Sequence, residues 1–596
     1  MINWLRPIRA ARFLAGCPFA FLRRHAVLLL AFALPVAAVA ADAPVLQADV
    51  PEGASGFAPV RSAVAEHVMV VTAHPEATAA ATAILRRGGT ALDAAIAAQL
   101  VLGVVEPQSS GLGGGGFLLL RDGRDGRLRA YDGRETAPRR ASDAFARDAS
   151  GRLLPFSRLV GDGRSVGVPG LLPMLALAHR RHGRLPWATL FEQAIRLAAE
   201  GFPVSPRLHR MLTEDPLLRN DPAAAQLFYP GGGALAAGQR LRNPALAEVL
   251  RTVARDGADA LQSGPLAEAI VGAAAARSGV LEIGDLDGYR AVEREPLCAY
   301  VLRYRVCGMP PPSSGGIAVL QVLSLASRAK DRLRAGTPAD HLLAEAGRLA
   351  FADRARYVGD PDYVAVPTAA LVASDYLERR AGLIDSEHAM TGPAQPGVPM
   401  PSLVREDGTD DGLPATTHLS VVDAEGGAVA LTSSIEAAFG SRIAVRGFLL
   451  NNQLTDFALA DGSTGRPVAN ALGPGKRPVS AMSPTLVLDD AGQVVAVLGS
   501  AGGPRIISQT ARAAWMLLAE GRQPADVVAA PHLANRNGVT EVERGRYPAA
   551  ARAGLEQRGH VVREEVMTSG LHLILRRDGR WHGAADPRRE GEAAGY

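Results

Sequence analysis

Lysine is almost missing from this chain: of 64 basic residues only Lys330 and Lys476 are lysines, and the rest are arginine. That bias reads as a genome-composition effect and carries no mechanism. Cysteine is scarce too, with three in 596 residues, and no cysteine–histidine grouping has the spacing of a metal site. No metal and no cofactor is expected. A long hydrophobic run is also lacking. The apolar stretch 26–40 falls short of the roughly 20 residues that a membrane span needs. It follows Arg23-Arg24 and ends in Ala38-Val39-Ala40, a small-x-small cleavage site, so residues 1–40 read as a secretory signal. The expected destination is the periplasm, with no stable membrane anchor. The formal charge of +4 invites a nucleic-acid reading, but the signal holds five arginines and no acid. Removing them takes +4 to −1, too little for a general pull on phosphate backbones.

What remains is ordinary globular material, 47% hydrophobic and 21% charged. Apolar residues recur at helical spacing over 74–87, 90–105, 171–182, 187–200 and 339–357. From about 387 to 415 Pro, Gly and acidic residues crowd together, as in a mobile linker. Beyond it strands dominate: 416–422 with 428–434, 485–488 with 494–498, and 571–575 with 581–584, each pair around a turn. A helix over 506–520 follows Gly502-Gly503-Pro504. Strands flanked by helices suggest a layered α/β sandwich. Cys298 and Cys307 face each other across a predicted turn at Leu302-Arg303, and both a disulfide and two separate thiols fit.

Two short motifs tempt. The run 111–116, Gly-Leu-Gly-Gly-Gly-Gly, matches GxGxxG, but a strand follows it where a dinucleotide site needs a helix. It reads instead as a loop where backbones approach closely. Gly163-Arg164-Ser165-Val166-Gly167 matches the nucleophile elbow of serine hydrolases, yet Val168-Pro169-Gly170 delays the helix that should follow at once.

The informative segment is Pro414-Ala415-Thr416-Thr417-His418-Leu419-Ser420, where a linker runs into a strand that begins with threonine. Cleavage between Ala415 and Thr416 makes Thr416 an N-terminus. Its hydroxyl then serves as nucleophile and its own α-amine as base. An α-amine titrates near 7.7–8.0, so a useful fraction is neutral at physiological pH.

The segment resembles the self-cleavage site of the γ-glutamyltranspeptidase (glutathione hydrolase) family of N-terminal-nucleophile hydrolases. The resemblance continues through Arg134-Glu135-Thr136-Ala137-Pro138, Val168-Pro169-Gly170, Pro311-Pro312-Ser313-Ser314-Gly315-Gly316, Asn451-Asn452-Gln453-Leu454-Thr455-Asp456, Met482-Ser483-Pro484-Thr485 and Asp586-Pro587-Arg588. It implies a four-layer αββα sandwich (α+β) built from a large subunit, 41–415, and a small subunit, 416–596, that form a heterodimer. It implies γ-glutamyl transfer from glutathione-like donors to water, amino acids or peptides. Thr416 is similar to the nucleophile, and Ser434 stands where a second threonine usually hydrogen-bonds it. Gly502 and Gly503 match the oxyanion hole. Arg134 and Ser480 match the α-carboxylate site, and Gln453 and Asp456 the α-amine site. The chain departs from the pattern at Glu436, where many members have Asn, and at Ala481, where a second serine is common. An acylase of the same fold acting on a β-lactam side chain is the nearest alternative. A serine hydrolase using Ser165 and a non-catalytic binding protein are more distant ones.

Overall fold

The structure, a computed structural model, describes residue 54 and residues 56–333, 335–400, 405–408, 415–458 and 466–596. The chain divides into Met1–Val45 and Leu46–Tyr596. The expected signal, 1–40, lies outside the described residues, and everything below concerns the second unit.

Two seven-stranded antiparallel sheets form its centre. One runs Arg61–Ala65, Arg580–Ala585, His572–Arg577, Val494–Leu498, Thr485–Leu488, Tyr304–Gly308, Leu297–Val301. The other runs Glu592–Gly595, Met69–Thr72, Ala415–Val422, Ala428–Glu436, Gly115–Arg121, Leu128–Gly133, Val292–Arg294. The period of two sorts their side chains. Phe117 and Leu119 point into the layer between the sheets, while Leu118 and Leu120 point to helices Pro75–Arg86, Ala91–Val105 and Leu171–His182. In the first sheet Leu486 and Ile574 face inward and Val487 and Leu573 face helices Gly315–Arg332, Ala339–Tyr357 and Arg505–Leu518. The result is the four-layer αββα sandwich.

Local chemistry sets the ends of these elements. Helix Pro75–Arg86 opens with His74 accepting from the Glu76 N–H and proline in the first turn. Helix Ala91–Val105 has a Thr90–Asp93 capping box. Trp187–Phe191 is a 3-10 turn leading into helix Glu192–Glu200, so the stretch expected as one helix starts tighter. Leu302, in the left-handed region at φ 57°, turns Leu297–Val301 back on Tyr304–Gly308, and the opposed Cys298 and Cys307 are disulfide-bonded.

The Pro- and Gly-rich stretch from about 387 is held down as far as 400. Buried carboxylates take its main-chain N–H groups: Met390 donates to Glu345 (2.7 Å) and Gly397 to Asp353 (2.8 Å). Arg405 then donates to the Tyr357 and Ala365 carbonyls. Residues 401–404 and 409–414 lie outside the described residues.

Candidate active site

The glycine loop sets how closely the neighbours of Thr416 pack. A Cβ at Gly114 would lie 2.1 Å from the Ser434 carbonyl oxygen, and one at Gly113 would lie 2.2 Å from that of Leu449. Neither residue has a positive φ, so glycine is required here for space. Asn451 closes the same junction, its side-chain amide donating to the Gly113 and Gly167 carbonyls (2.7 and 2.9 Å).

On the strand beside this loop the pairing slips at the junction of interest. Ala415 pairs with Glu436 and Thr416 with Ser434, so Ile435 is the extra residue of a β-bulge, and Glu436 takes a left-handed φ of 76°. The bulge turns the Ser434 hydroxyl onto the Ala415–Thr416 peptide bond: Ser434 Oγ donates to the Ala415 carbonyl (2.5 Å) and accepts from the Glu436 N–H (2.9 Å). The expectation from sequence was a bond to the Thr416 hydroxyl. In the uncut chain Ser434 instead grips the carbonyl that Thr416 would attack.

Thr416 is 1% exposed, and its own carbonyl accepts from Arg589 Nη1 (2.9 Å). Sequence reasoning missed Arg589, which lies 173 residues downstream and also donates from Nε to the Ser569 carbonyl (2.8 Å). The adjacent Thr568 carbonyl lies 2.9 Å from where a Gly502 Cβ would be. Residues 568–569 thus join the Thr416 anchor to Gly502 and Gly503, whose φ values of 127° and 65° only glycine adopts easily. Helix Arg505–Leu518 starts just after them, and its N-terminus favours negative charge.

Arg134 is buried among Asp456 (2.5 Å), the Pro478 and Val479 carbonyls (3.1 and 2.8 Å) and Glu135 (3.5 Å). Its guanidinium is thus paired with two carboxylates, Glu135 and Asp456. Gln453 Nε2 donates to the same Asp456 oxygen (2.6 Å). Ser480 sits one residue beyond Val479. Its Oγ accepts from the Met482 N–H (3.2 Å), and its carbonyl accepts from Ser314 N and Oγ (2.8 and 2.7 Å). Glu436 accepts from Asn452 Nδ2, so Asn452 is a second residue missed from sequence.

The cluster is rich in acceptors that lack donors. Both Glu135 carboxylate oxygens, Glu436 Oε1 and Gln453 Oε1 are buried with no hydrogen-bond partner among the described residues. Burial pushes the Glu135 carboxyl up to about 8 against the pull of Arg134. Burial, and then the nearby Asp456 charge, hold the Glu436 carboxyl well above the usual range, against the Asn452 hydrogen bond. Such a site is complementary to a ligand that brings N–H donors and positive charge.

Ser165, the rival nucleophile, is fully buried in a 3-10 turn, and its hydroxyl donates to the Asp162 carbonyl (2.7 Å). No strand-to-helix elbow forms there. Among the described residues no group of three or more His, Cys, Asp or Glu is arranged to hold a metal.

A sequence model of the family Gamma-glutamyltranspeptidase matches residues 77–596. The glutathione hydrolase proenzyme of Escherichia coli (strain K12) is 36% identical over 593 residues, covering 97% of this chain and 99% of its own. The acylase ACY 1 proenzyme of Pseudomonas sp. (strain SE83) is 36% identical over 539 residues, covering 88% of this chain and 92% of its own. Among solved structures, a cephalosporin acylase from Bacillus halodurans superimposes with a TM-score of 0.79 at 27% identity, covering 90% of this chain and 97% of that one. With the family matched from residue 77 to the last residue, the chain belongs to the gamma-glutamyltranspeptidase family.

Proposed function

We propose that this protein is a self-cleaving γ-glutamyltransferase and glutathione hydrolase whose nucleophile is Thr416. The observation that carries the reading is the Ser434 hydrogen bond to the Ala415 carbonyl, together with the acceptor-rich cluster that includes Arg134, Glu135, Glu436 and Gln453.

Maturation begins when Thr416 Oγ attacks the Ala415 carbonyl carbon. Ser434 stabilises the charge that develops on the carbonyl oxygen. The C–N bond breaks, the proton from Oγ ends on the released Thr416 amine, and an ester remains. Water hydrolyses that ester, giving a carboxylate on Ala415 and a free N-terminal Thr416. In turnover the Thr416 amine accepts the hydroxyl proton as Oγ attacks the donor's γ-carbonyl. The Gly502 and Gly503 N–H groups, at a helix N-terminus, face the developing oxyanion. The leaving amine departs with that proton, and water or an amino-acid amine then attacks the γ-glutamyl ester. Arg134 and Ser480 hold the donor α-carboxylate. Asp456, Gln453 and Glu436 receive its ammonium, which supplies N–H donors to the buried Glu436 Oε1 and Gln453 Oε1.

A cephalosporin side-chain acylase is a second reading, favoured by Ala481 and Glu436 and by the acylases among the relatives. Purified protein incubated with glutathione, and separately with a cephalosporin, decides between them. Release of glutamate from glutathione, in protein that shows two fragments on a denaturing gel, supports the first reading. Release only from the cephalosporin supports the second. We read residues 1–40 as the export signal, so the large fragment should begin at Ala41 by N-terminal sequencing, and retention of Met1 in exported protein would refute that.

A further inference from the structure

The Arg134 main chain connects the proposed donor site to a cavity. Tyr289 Oη donates to the Arg134 carbonyl (2.8 Å), and Tyr289 forms part of the wall of a cavity of about 570 Å³. That volume lies within the roughly 300–1,000 Å³ typical of small-ligand sites. Gly170 packs against the same hydroxyl, since a Cβ there would lie 2.1 Å from Tyr289 Oη. The wall containing Tyr289 is braced. Gln262 Nε2 donates to the Leu286 and Tyr289 carbonyls (3.0 and 2.9 Å), and Arg477 Nη2 donates to the Arg290 carbonyl (2.8 Å).

The lining has an unusual balance. Pro173 and Leu177 supply an apolar face. Around it stand two cations, Arg180 and Arg290, and two anions, Asp259 and Asp287. Among the described residues the side-chain charges of Arg180, Asp259 and Asp287 have no partner, while Arg290 spends Nη1 on the Asp287 and Tyr289 carbonyls. Two carboxylates beside the cations repel a polyphosphate, and the exposed charges do not suit a lipid tail. A molecule carrying both an ammonium and a carboxylate satisfies both signs at once.

We infer that this cavity binds a small zwitterion, a free amino acid or dipeptide, and that its occupancy is felt at Arg134 through the Tyr289 hydrogen bond. The link to Arg134 rests on the proposed donor role of that residue; the binding does not. A ligand packed on Tyr289 favours the conformer that holds the Arg134 carbonyl, and so tightens binding of the donor's carboxylate. The coupling is reciprocal.

The test uses the mature enzyme. Glycylglycine is titrated by calorimetry without any donor, and L-glutamate, the product of hydrolysis, reports on the Arg134 site. The expected result is a saturable glycylglycine site in the wild type that is weakened at least tenfold in the double variant Arg180→Gln/Asp287→Asn. Saturating glycylglycine should tighten L-glutamate about fivefold. Tyr289→Phe should still bind glycylglycine but lose that shift. Absence of saturable binding, binding undiminished in the double variant, or binding that leaves L-glutamate affinity unchanged would each overturn the proposal. Glutathione hydrolysis, expected to be unchanged in the double variant without ligand, is the separate check on the enzyme: its absence with glycylglycine binding intact sinks the function and leaves the site.

Discussion

In the proposed cleavage Ser434 and Thr416 have unequal parts, and substitution separates them. Thr416→Ala removes nucleophile and prospective base together, so neither fragments nor turnover should appear. Thr416→Ser keeps both groups and should mature slowly. Ser434→Ala removes only the donor on the Ala415 carbonyl. A single neutral hydrogen bond contributes about 0.5–1.5 kcal/mol, so fragment formation on a gel time course should slow about 2- to 13-fold without stopping. Cleavage at the wild-type rate would remove Ser434 from the maturation chemistry. Ser165→Ala should mature normally, because that hydroxyl serves only its own turn. Arg134→Lys breaks a charge-assisted contact worth about 1.5–3 kcal/mol and should lower kcat/KM for glutathione roughly 10–100-fold. Glu135 adds a pH signature. Its carboxyl rises from 4.5 to about 8 on folding. The folded chain therefore keeps its proton while the unfolded chain loses it, and stability falls as pH rises from about 4.5 towards 8. Thermal unfolding of Glu135→Gln should lose less Tm than the wild type between pH 5 and 8; parallel curves would contradict the assignment.

At the level of elements, the glycine loop is the most exposed to test. Gly114→Ala drives a methyl into the Ser434 carbonyl and should cost about 1–3 kcal/mol, read as a lowered Tm with slowed maturation. An unchanged Tm would mean the loop has room to move. This loop was legible in the sequence as a place of close approach, because a strand follows it. Helices 171–182 and 339–357, and strands 485–488 and 494–498, were legible to the residue, since apolar periodicity and flanking turns mark them locally. The bulge at Ile435 was not. It exists only because two strands pair out of step, and no single-strand pattern encodes a partner's register. Arg589 and Asn452 were hidden for the same reason: their roles arise from contacts with residues distant in sequence or across a bulge. The resemblance supplied the positions of Arg134, Gln453, Asp456 and Ser480, whereas composition and periodicity alone stopped at Thr416 heading a strand.

Across the whole molecule, the proposed cut falls inside a shared structure. In the second sheet Ala415–Val422 and Ala428–Glu436 lie between Met69–Thr72 and Gly115–Arg121, while Glu592–Gly595 closes the edge beyond Met69–Thr72. In the first sheet, four strands from after residue 416 are enclosed by strands from before it. The two fragments should therefore co-elute as one heterodimer in gel filtration and part only under denaturing conditions; a free small fragment in native buffer would contradict this topology. That alternation of strands has a consequence for time as well as space. Before the cut, folding is the search of one chain. After it, regaining the same sheets requires two chains to meet and interleave, so the reverse path becomes second order. The mature enzyme would then owe its lifetime to the height of its unfolding barrier, since it can no longer count on refolding. Denatured and diluted, it should recover poorly and in proportion to concentration, while the uncut Thr416→Ala precursor should refold at a rate that dilution leaves unchanged.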